Sequence, residues 1–526
     1  MSEAHGGCQV SAAAKEHEQP QQSGGGQRGT RICGYLTVYM ALTLSVTLPL
    51  IFVLIRGTRL GAARMQLESI AHISQNAVLS EFHIALHERY DLFAVDTSYG
   101  GGSGVLANTE QHLRSYVEQN AACGGTVVFG TPVNPAGVRI SSMTLPEARY
   151  LCDNNAQAVR EQVYAYMTAD PAGSIFGEVL AGIDQWKGLE ISGGEWQTRT
   201  QESEETLLRT LREKREDVQS DVEQKDNNQE YVTQTEREAA SDVPSEAEEM
   251  VQNTQSFQFL PILHQVLGED AELSEQTVEE GQLLSKREVH LGSGLKASNT
   301  HDYPRANELM FDAYIMEKTG RYTAMLEDGK LKYQTEYILC GKSSDKENLE
   351  KVAERLLLIR EAVNCPCLFS DEGRMSQIHT VAAIVSLIML NPDLEEVLAD
   401  AIALAWSYLE SVQDVHSLLI GRKVPVVKTP ENWQTDLFDL LSPGAAIRDR
   451  GGDEGLSYEE YLAGLLYIEG STTKTKRTMD IMELDIREIT QDPDFALDRC
   501  LDTILTEISA EAIGTEFSFS GTAGYD

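Results

Sequence analysis

Apolar positions run without a charge from residue 34 to residue 55 (GYLTVYMALTLSVTLPLIFVLI), between Arg31 and Arg56. A helix rises about 1.5 Å per residue and needs about 20 mainly apolar residues to cross a bilayer, so this stretch predicts a transmembrane helix. A soluble core helix of this length would carry a polar face, which is missing. Thr37, Tyr39, Thr43, Ser45 and Thr47 make the span less apolar, but hydroxyls bond back to carbonyls of their own helix. Pro49 predicts a kink and not a break. Beyond the span, Ala63, Leu67, Ile70, Ala71, Ser74, Ala77, Val78, Phe82, Ala85 and Leu86 recur at three and four residues. That spacing predicts an amphipathic continuation to about Arg89, the whole helix being roughly 80 Å long.

Further along, residues 106–120 and 146–167 read as helices, with short strands at 126–129 and 138–140 around Pro132 and Pro135. From 201 to 255 the composition turns to Glu, Asp, Gln, Arg and Lys, and the apolar stripe fades after Val222, as in a solvated helical arm. Residues 257–267 are expected to dock on the fold again, and 270–300 to be polar and loop-like. After a boundary near His301, helices are expected at 305–316, 346–363, 377–390 and 394–419, with one or two more across 458–489. Residues 332–339 and 424–427 read as strands, and Phe517 and Phe519, alternating with serine, predict a closing strand. The fold class is α+β, mainly helical. It divides into a disordered tail (1–33), the span (34–55), a first part (56–200), an acidic insertion (201–300) and a second, mainly helical part (301–526).

Composition changes this picture in two ways. A chain of 526 residues has room for two or three domains, and its formal net charge of −39 argues against a nucleic-acid partner, because phosphate recognition draws on a surplus of Lys and Arg. Arginines flank the span on both sides (Arg28 and Arg31; Arg56, Arg59 and Arg64), so charge does not choose its orientation. The long leader and the arginines after the span suit a retained anchor and not a cleaved signal. The eight cysteines lack zinc-site spacing, and Cys365-Pro366-Cys367 reads as ordinary buried thiols. If the bulk of the chain is outside the cell, Cys123 with Cys152 is the expected disulfide by loop length, with connectivity open.

Candidate chemistry is thin. The run from Tyr99 to Gly104 is rich in glycine but lacks the G-x-G-x-x-G pattern and reads as a turn. Cys340-Gly341-Lys342-Ser343 imitates part of a phosphate-binding loop, yet Glu336 stands where that loop needs its first glycine. Ser344 and Glu347 fit a capping box instead. His83 and His87 lie one turn apart without a third ligand, on the polar side of the first helix, and are expected to be solvated. Asp492, Asp494 and Asp498, like the acids of 449–455, miss the calcium-loop pattern and read as turn and cap carboxylates. No G-x-S-x-G occurs. No catalytic residue, cofactor site or metal ligand is therefore assigned.

Residues 31–39 (RICGYLTVY), the span and its sequel RGTRLGAARMQLESIAHISQNAVLSEFHIALHERYDLFAVDTSYG resemble an uncharacterised family of Gram-positive bacteria encoded among Tad-type (Flp) pilus assembly genes. EYILCGKSSDKENLEKVAERLLLIREAVN, ESVQDVHSLLIGRKVPVVKTPENWQ and GLSYEEYLAGLLYIEG look like the same family. The resemblance implies a TadE/TadG-like pseudopilin, single-pass in the cell membrane, N terminus cytoplasmic and large domain extracytoplasmic. Its implied partners are the bilayer, pilins and other membrane proteins of a pilus or secretion machine. Precursors of that kind are cut after a glycine and carry Glu at the fifth mature position. Cleavage after Gly34 would make Tyr35 the first residue and Tyr39 the fifth, and a phenol is neutral at physiological pH. The expected function is thus a noncatalytic assembly or tip component. The competing class is a membrane-tethered extracytoplasmic enzyme or ligand-binding domain, hinted at by the cysteine pair, the histidines and the incomplete G-K-S loop.

Overall fold

The computed structural model describes residues 32–123, 126–128, 131–133, 137–169, 246–292, 305–388 and 394–525, with isolated positions between 195 and 209 and at 295. The chain forms two compact units, Met1–Gln66 and Leu67–Asp526. Most of the expected arm at 201–255 lies outside the described residues.

Helix α1, Ile32–Leu79, begins in the first unit. Its side chains from Tyr35 to Ile55 are all exposed, and among the described residues it is the one helix long and apolar enough to cross a membrane. The hydroxyls of Thr43, Ser45 and Thr58 donate to Met40 O, Leu42 O and Ile55 O at 3.0, 2.8 and 3.0 Å, so each is satisfied inside the helix. Pro49 sits within the helix without ending it.

In the second unit, Leu67, Ile70, Ala71, Ser74 and Val78 of α1 enter the core. The helix does not reach Arg89. It stops at Leu79, and a separate helix α2, Ile84–Tyr90, follows. The break has local causes: Glu81 is drawn to His112 (3.1 Å) and Tyr116 (2.8 Å), while His83 N–H bonds to Ala94 O at 2.9 Å. His83 Nδ1 then caps the new helix by accepting from Leu86 N–H at 3.2 Å.

Four antiparallel strands make the main sheet: β1 (Val95–Asp96), β4 (Arg139–Tyr150), β5 (Cys500–Ala512) and β6 (Thr515–Gly524). β5 is central, with β4 along one side and β1 and β6, each paired directly to it, end to end along the other. Strands β2 (Thr126–Val128) and β3 (Thr131–Val133) form a separate hairpin after helix α3, Leu106–Cys123. In β5, Ile504, Ile508, Ala510 and Ala512 are buried while Glu507, Ser509 and Glu511 are exposed, the period of two expected of a sheet with one solvated face. The buried face meets α1, where His72 packs edge-on to Phe519 (5.3 Å) and Gln75 donates to Gly521 O at 2.9 Å. The expected strand at 138–140 grows into β4, which takes over the start of the helix expected at 146–167. Pro146 falls at a register irregularity between Thr144 and Glu147, where a missing N–H costs no ladder bond. Helix α4, Asp153–Ala169, comes only after it.

The remainder is helical: α5 (Glu246–Gln258), α6 (Ile262–Leu267), α7 (Arg305–Lys318), α8 (Gln334–Cys340), α9 (Asp345–Ser370), α10 (Glu372–Ile388), α11 (Leu394–Leu419), α12 (Tyr458–Ile468) and α13 (Ser471–Thr490). α11 has the expected bounds and is buried along most of its length, packed by α5, α6, α9 and α10. Two expected strands are not strands. Residues 332–339 fold into α8, because Gln334 to Leu339 are buried on every side and their alternation sorts no faces. Gly341, in the left-handed conformation, closes α8 with its N–H on Tyr337 O at 2.7 Å. At 424–427 a single bridge, Val424 to Leu456, is formed.

A charged helix beside an open cleft

Helix α13 reads STTKTKRTMDIMELDIREIT. Charges on all sides ordinarily mean a solvated helix, yet Lys474, Asp480, Glu483 and Asp485 are buried together with Met479, Ile481, Met482, Leu484 and Ile486. Buried charges must be paired or hydrogen bonded. Lys474 forms an ion pair with Asp312 of α7 and donates to Leu466 O at 3.1 Å. Asp480 accepts from Ser285 N–H (2.7 Å), Ser285 Oγ (2.5 Å) and Tyr337 OH (2.9 Å). Glu483 accepts from Arg287 at 2.6 and 2.8 Å, pairs with Arg487 at 2.6 Å, and accepts Leu497 N–H at 2.9 Å. Asp485 accepts from Tyr90 OH (2.7 Å), Gln334 Nε2 (2.8 Å) and Lys330 N–H (3.0 Å).

Burial pushes the carboxyls of Asp480 and Asp485 above the usual range, against the donors that face them. Asp312 is pushed up to about 6 by burial, with Lys474 opposing. Glu336 of α8 is pushed up to about 7 by burial, although its Oε1 accepts from Tyr322 N–H (2.9 Å) and Tyr458 OH (2.7 Å). A second buried cluster is built on α11. Arg360 bonds Asp414 (3.0 Å), Tyr461 OH (3.0 Å) and Pro425 O (2.8 Å), and Lys428 bridges Asp414 (2.8 Å) and Glu410 (2.5 Å). Burial raises Asp414, but Lys428 and Arg360 outweigh it and hold the carboxyl below its ordinary value.

Arg287 and Arg487 reach from Glu483 to the wall of an open cleft of about 1060 Å³, shared with Arg499, Glu488, Asp498 and the glycine turn at Gly102 and Gly104. A neighbouring cleft of about 670 Å³ shares Lys330 and Glu488. Both signs of charge line this surface, and its two best-placed cations are already held: Arg287 by Glu483 and Asp498, Arg487 by Glu483 and Phe495 O. Such a wall suits a polar ligand carrying both charges better than a polyanion. The glycine turn has a packing reason, since a Cβ on Gly104 would stand 2.6 Å from Arg499 and 2.9 Å from Thr97.

The other sequence candidates are scattered. Tyr35 and Tyr39 are exposed on α1, and Gly34 lies in its first turns. Cys152 is a free buried thiol, its pKa raised by burial and then by Asp498 and Glu483; the side chain of Cys123 lies outside the described residues. Cys365 is buried against Ser407 Oγ at 3.0 Å. His83 and His87 are not solvated, since the break after Leu79 turns them inward: His83 is half-buried against Phe495, and His87 stacks on Phe93 at 4.2 Å. Burial lowers the pKa of His83. Ser344 caps α9 by accepting Glu347 N–H at 3.2 Å, but the reciprocal bond is absent, because the Glu347 carboxylate meets Ser343 Oγ at 3.4 Å. Lys342 is exposed, and its N–H is taken by Asn348 Oδ1 at 2.8 Å, so that amide is committed inside the fold. Asp492 accepts Asp494 N–H at 3.0 Å, as a turn carboxylate does, but Asp498 is buried and reaches across the fold to Arg287 and His290 N–H, both at 2.9 Å, so it is not the turn carboxylate its local sequence suggests. Among the described residues no group of three or more His, Cys, Asp or Glu is placed to hold a metal ion.

Fold and site together define a mainly helical α+β protein whose N-terminal helix is apolar enough to cross a membrane and whose large unit is organised on buried charges. The chain belongs to a family of unknown function, DUF5702, whose model matches residues 240–512. The match spans α5 to β5, including α13, the α11 cluster and the cleft wall except Gly102, Gly104 and Val105. No curated protein and no solved structure matches the chain.

Proposed function

We propose that this protein is a noncatalytic, membrane-anchored, pseudopilin-like component of a Tad-type pilus or secretion apparatus, acting in assembly or as a minor or tip subunit. The observation that carries the reading is α1: one helix holds both the uncharged span and residues, Leu67 to Val78, that pack into the core against an antiparallel sheet. In lipid, helices associate by close packing and polar contacts, and Thr37, Thr43, Ser45 and Thr47 supply such groups without the ion pair that an acid at Tyr39 would give. The large unit is then extracytoplasmic, and its partners are pilins and membrane proteins of the same machine. Membranes and sheared filaments are to be compared by N-terminal sequencing and subunit abundance. An intact or trimmed form confined to membranes, or present in few copies, is expected. A chain beginning at Tyr35 and as abundant in filaments as the major pilin overturns the proposal.

The cleft favours a second reading, a tethered ligand-binding domain. Equilibrium binding of zwitterionic peptides that is lost in Arg499→Ala, with folding intact, would establish it.

A further inference from the structure

The sheet has two outer edges, and they are built differently. β4 carries Arg139, Pro146, Glu147 and Arg149 and three register irregularities against β5, the devices that blunt an edge. β6 has none of them. Its ten residues, TEFSFSGTAG, include no proline and no base, and they pair with β5 one to one from Thr503 with Gly524 to Ala512 with Thr515. Among the described residues no strand pairs with its other side. Alternate residues of such a strand turn N–H and C=O away from the sheet, a row of backbone partners that a further strand satisfies.

We propose that β6 is a strand-addition site for an extended segment of a partner protein in which apolar residues alternate with Lys or Arg. The alternation follows from the two faces. On the inner face Phe517, Phe519, Gly521 and Ala523 are only half-buried, and they continue the buried row of Ile508, Ala510 and Ile504. Apolar side chains of an added strand extend that row and cover the phenyl rings. On the outer face Glu516, Ser518, Ser520 and Thr522 are exposed, with Glu507 and Glu511 on the next strand. Glu516 stands directly opposite Glu511, which has Arg139 of β4 on its other side; the edge side of Glu516 is the place where a base on an added strand would complete an alternation of charge across the sheet. The chain as a whole carries −39, which draws cationic segments to it. A second copy brings the same net charge and no base in its own β6, so self-pairing is disfavoured. The inference does not depend on whether α1 enters a filament.

The test uses the full chain in detergent micelles and a capped nine-residue peptide alternating valine with lysine, with a valine–glutamate peptide as control. Hydrogen exchange of residues 515–524 and fluorescence anisotropy of the labelled peptide are read together. Expected are protection of β6 by roughly tenfold or more with the lysine peptide, none with the glutamate peptide, and reversal of that preference in Glu516→Lys, which leaves the β5–β6 ladder intact. No change in β6 with the lysine peptide, protection only elsewhere, or equal effects of the two peptides overturns the proposal. Concentration-dependent protection of β6 without peptide also overturns it, in favour of a second copy.

Discussion

The two buried charge clusters solve one problem in opposite ways. Around α11, two carboxylates, Glu410 and Asp414, meet two cations, Arg360 and Lys428, and Asp414 is held ionised below its ordinary pKa. Around α13 and α8, Asp480, Asp485 and Glu336 meet mainly neutral donors: Ser285, Tyr337, Tyr90, Gln334, Tyr322 and Tyr458. Hydrogen bonds from neutral donors, joined at Asp485 only by Arg89 at 3.9 Å, partly offset desolvation, so these carboxyls are pushed up. Burial alone therefore does not set the ionisation of a core carboxyl: the two cations beside Asp414 overcome it, whereas the single ion pair of Asp312 with Lys474 does not. The two regions should answer pH with opposite signs.

The largest effect is expected from Asp414→Ala, which leaves Arg360 and Lys428 buried with one carboxylate between them. Breaking a buried pair in this way costs about 3–5 kcal/mol, read by denaturant unfolding at pH 7. Because the folded pKa of Asp414 is depressed, its contribution is present above the unfolded value and lost as pH falls through the folded one. The deficit of the variant should narrow on acidification. A deficit that stays constant down to pH 3 would mean that the cations do not hold this carboxylate.

Glu336→Gln should behave in the reverse sense. A carboxyl raised from 4.5 to about 7 contributes fully below the unfolded value and loses that contribution as pH rises through the folded one. The substituted amide does not titrate and keeps an acceptor for Tyr322 N–H and Tyr458 OH. The variant should match the parent near pH 4 and exceed it by about 3.5 kcal/mol at pH 8.5, at about 1.4 kcal/mol per unit. Parallel stability curves would refute the raised pKa.

These clusters mark where the sequence stops being legible. The span of α1, the whole of α11, the Ser344 cap and strand β6 follow from local patterns of period and capping, and they are found where those patterns put them. The partners that satisfy the buried charges of α13 have no local signature, because they are remote: Tyr90 is 395 residues from Asp485, and Ser285 is 195 from Asp480. A usable signal existed in the apolar residues Met479, Ile481, Met482, Leu484 and Ile486, which surround the helix with no continuous polar face. β5 was equally readable, since ILTEISAEA alternates with period two. The misassigned α8 failed for the opposite reason: a short segment buried on all sides gives helix and strand the same alternation.

The smallest change sharpens the comparison most finely. Ser285 Oγ donates to Asp480 Oδ2, and Ser285 N–H holds the other oxygen, so Ser285→Ala removes one neutral donor and keeps the backbone bond. A net hydrogen bond to a charged acceptor is worth about 1.5–3 kcal/mol and a neutral one about 0.5–1.5 kcal/mol. The hydroxyl favours the ionised form of Asp480, so without it the folded pKa, already raised, climbs further. The deficit should then be larger at pH 8 than at pH 4, because the hydroxyl answers the ionised form and protonation removes that charge. An equal deficit at both values would show that the hydroxyl only fills space beside Tyr337, and that neutral donors carry none of the charge balance assigned to them around α13.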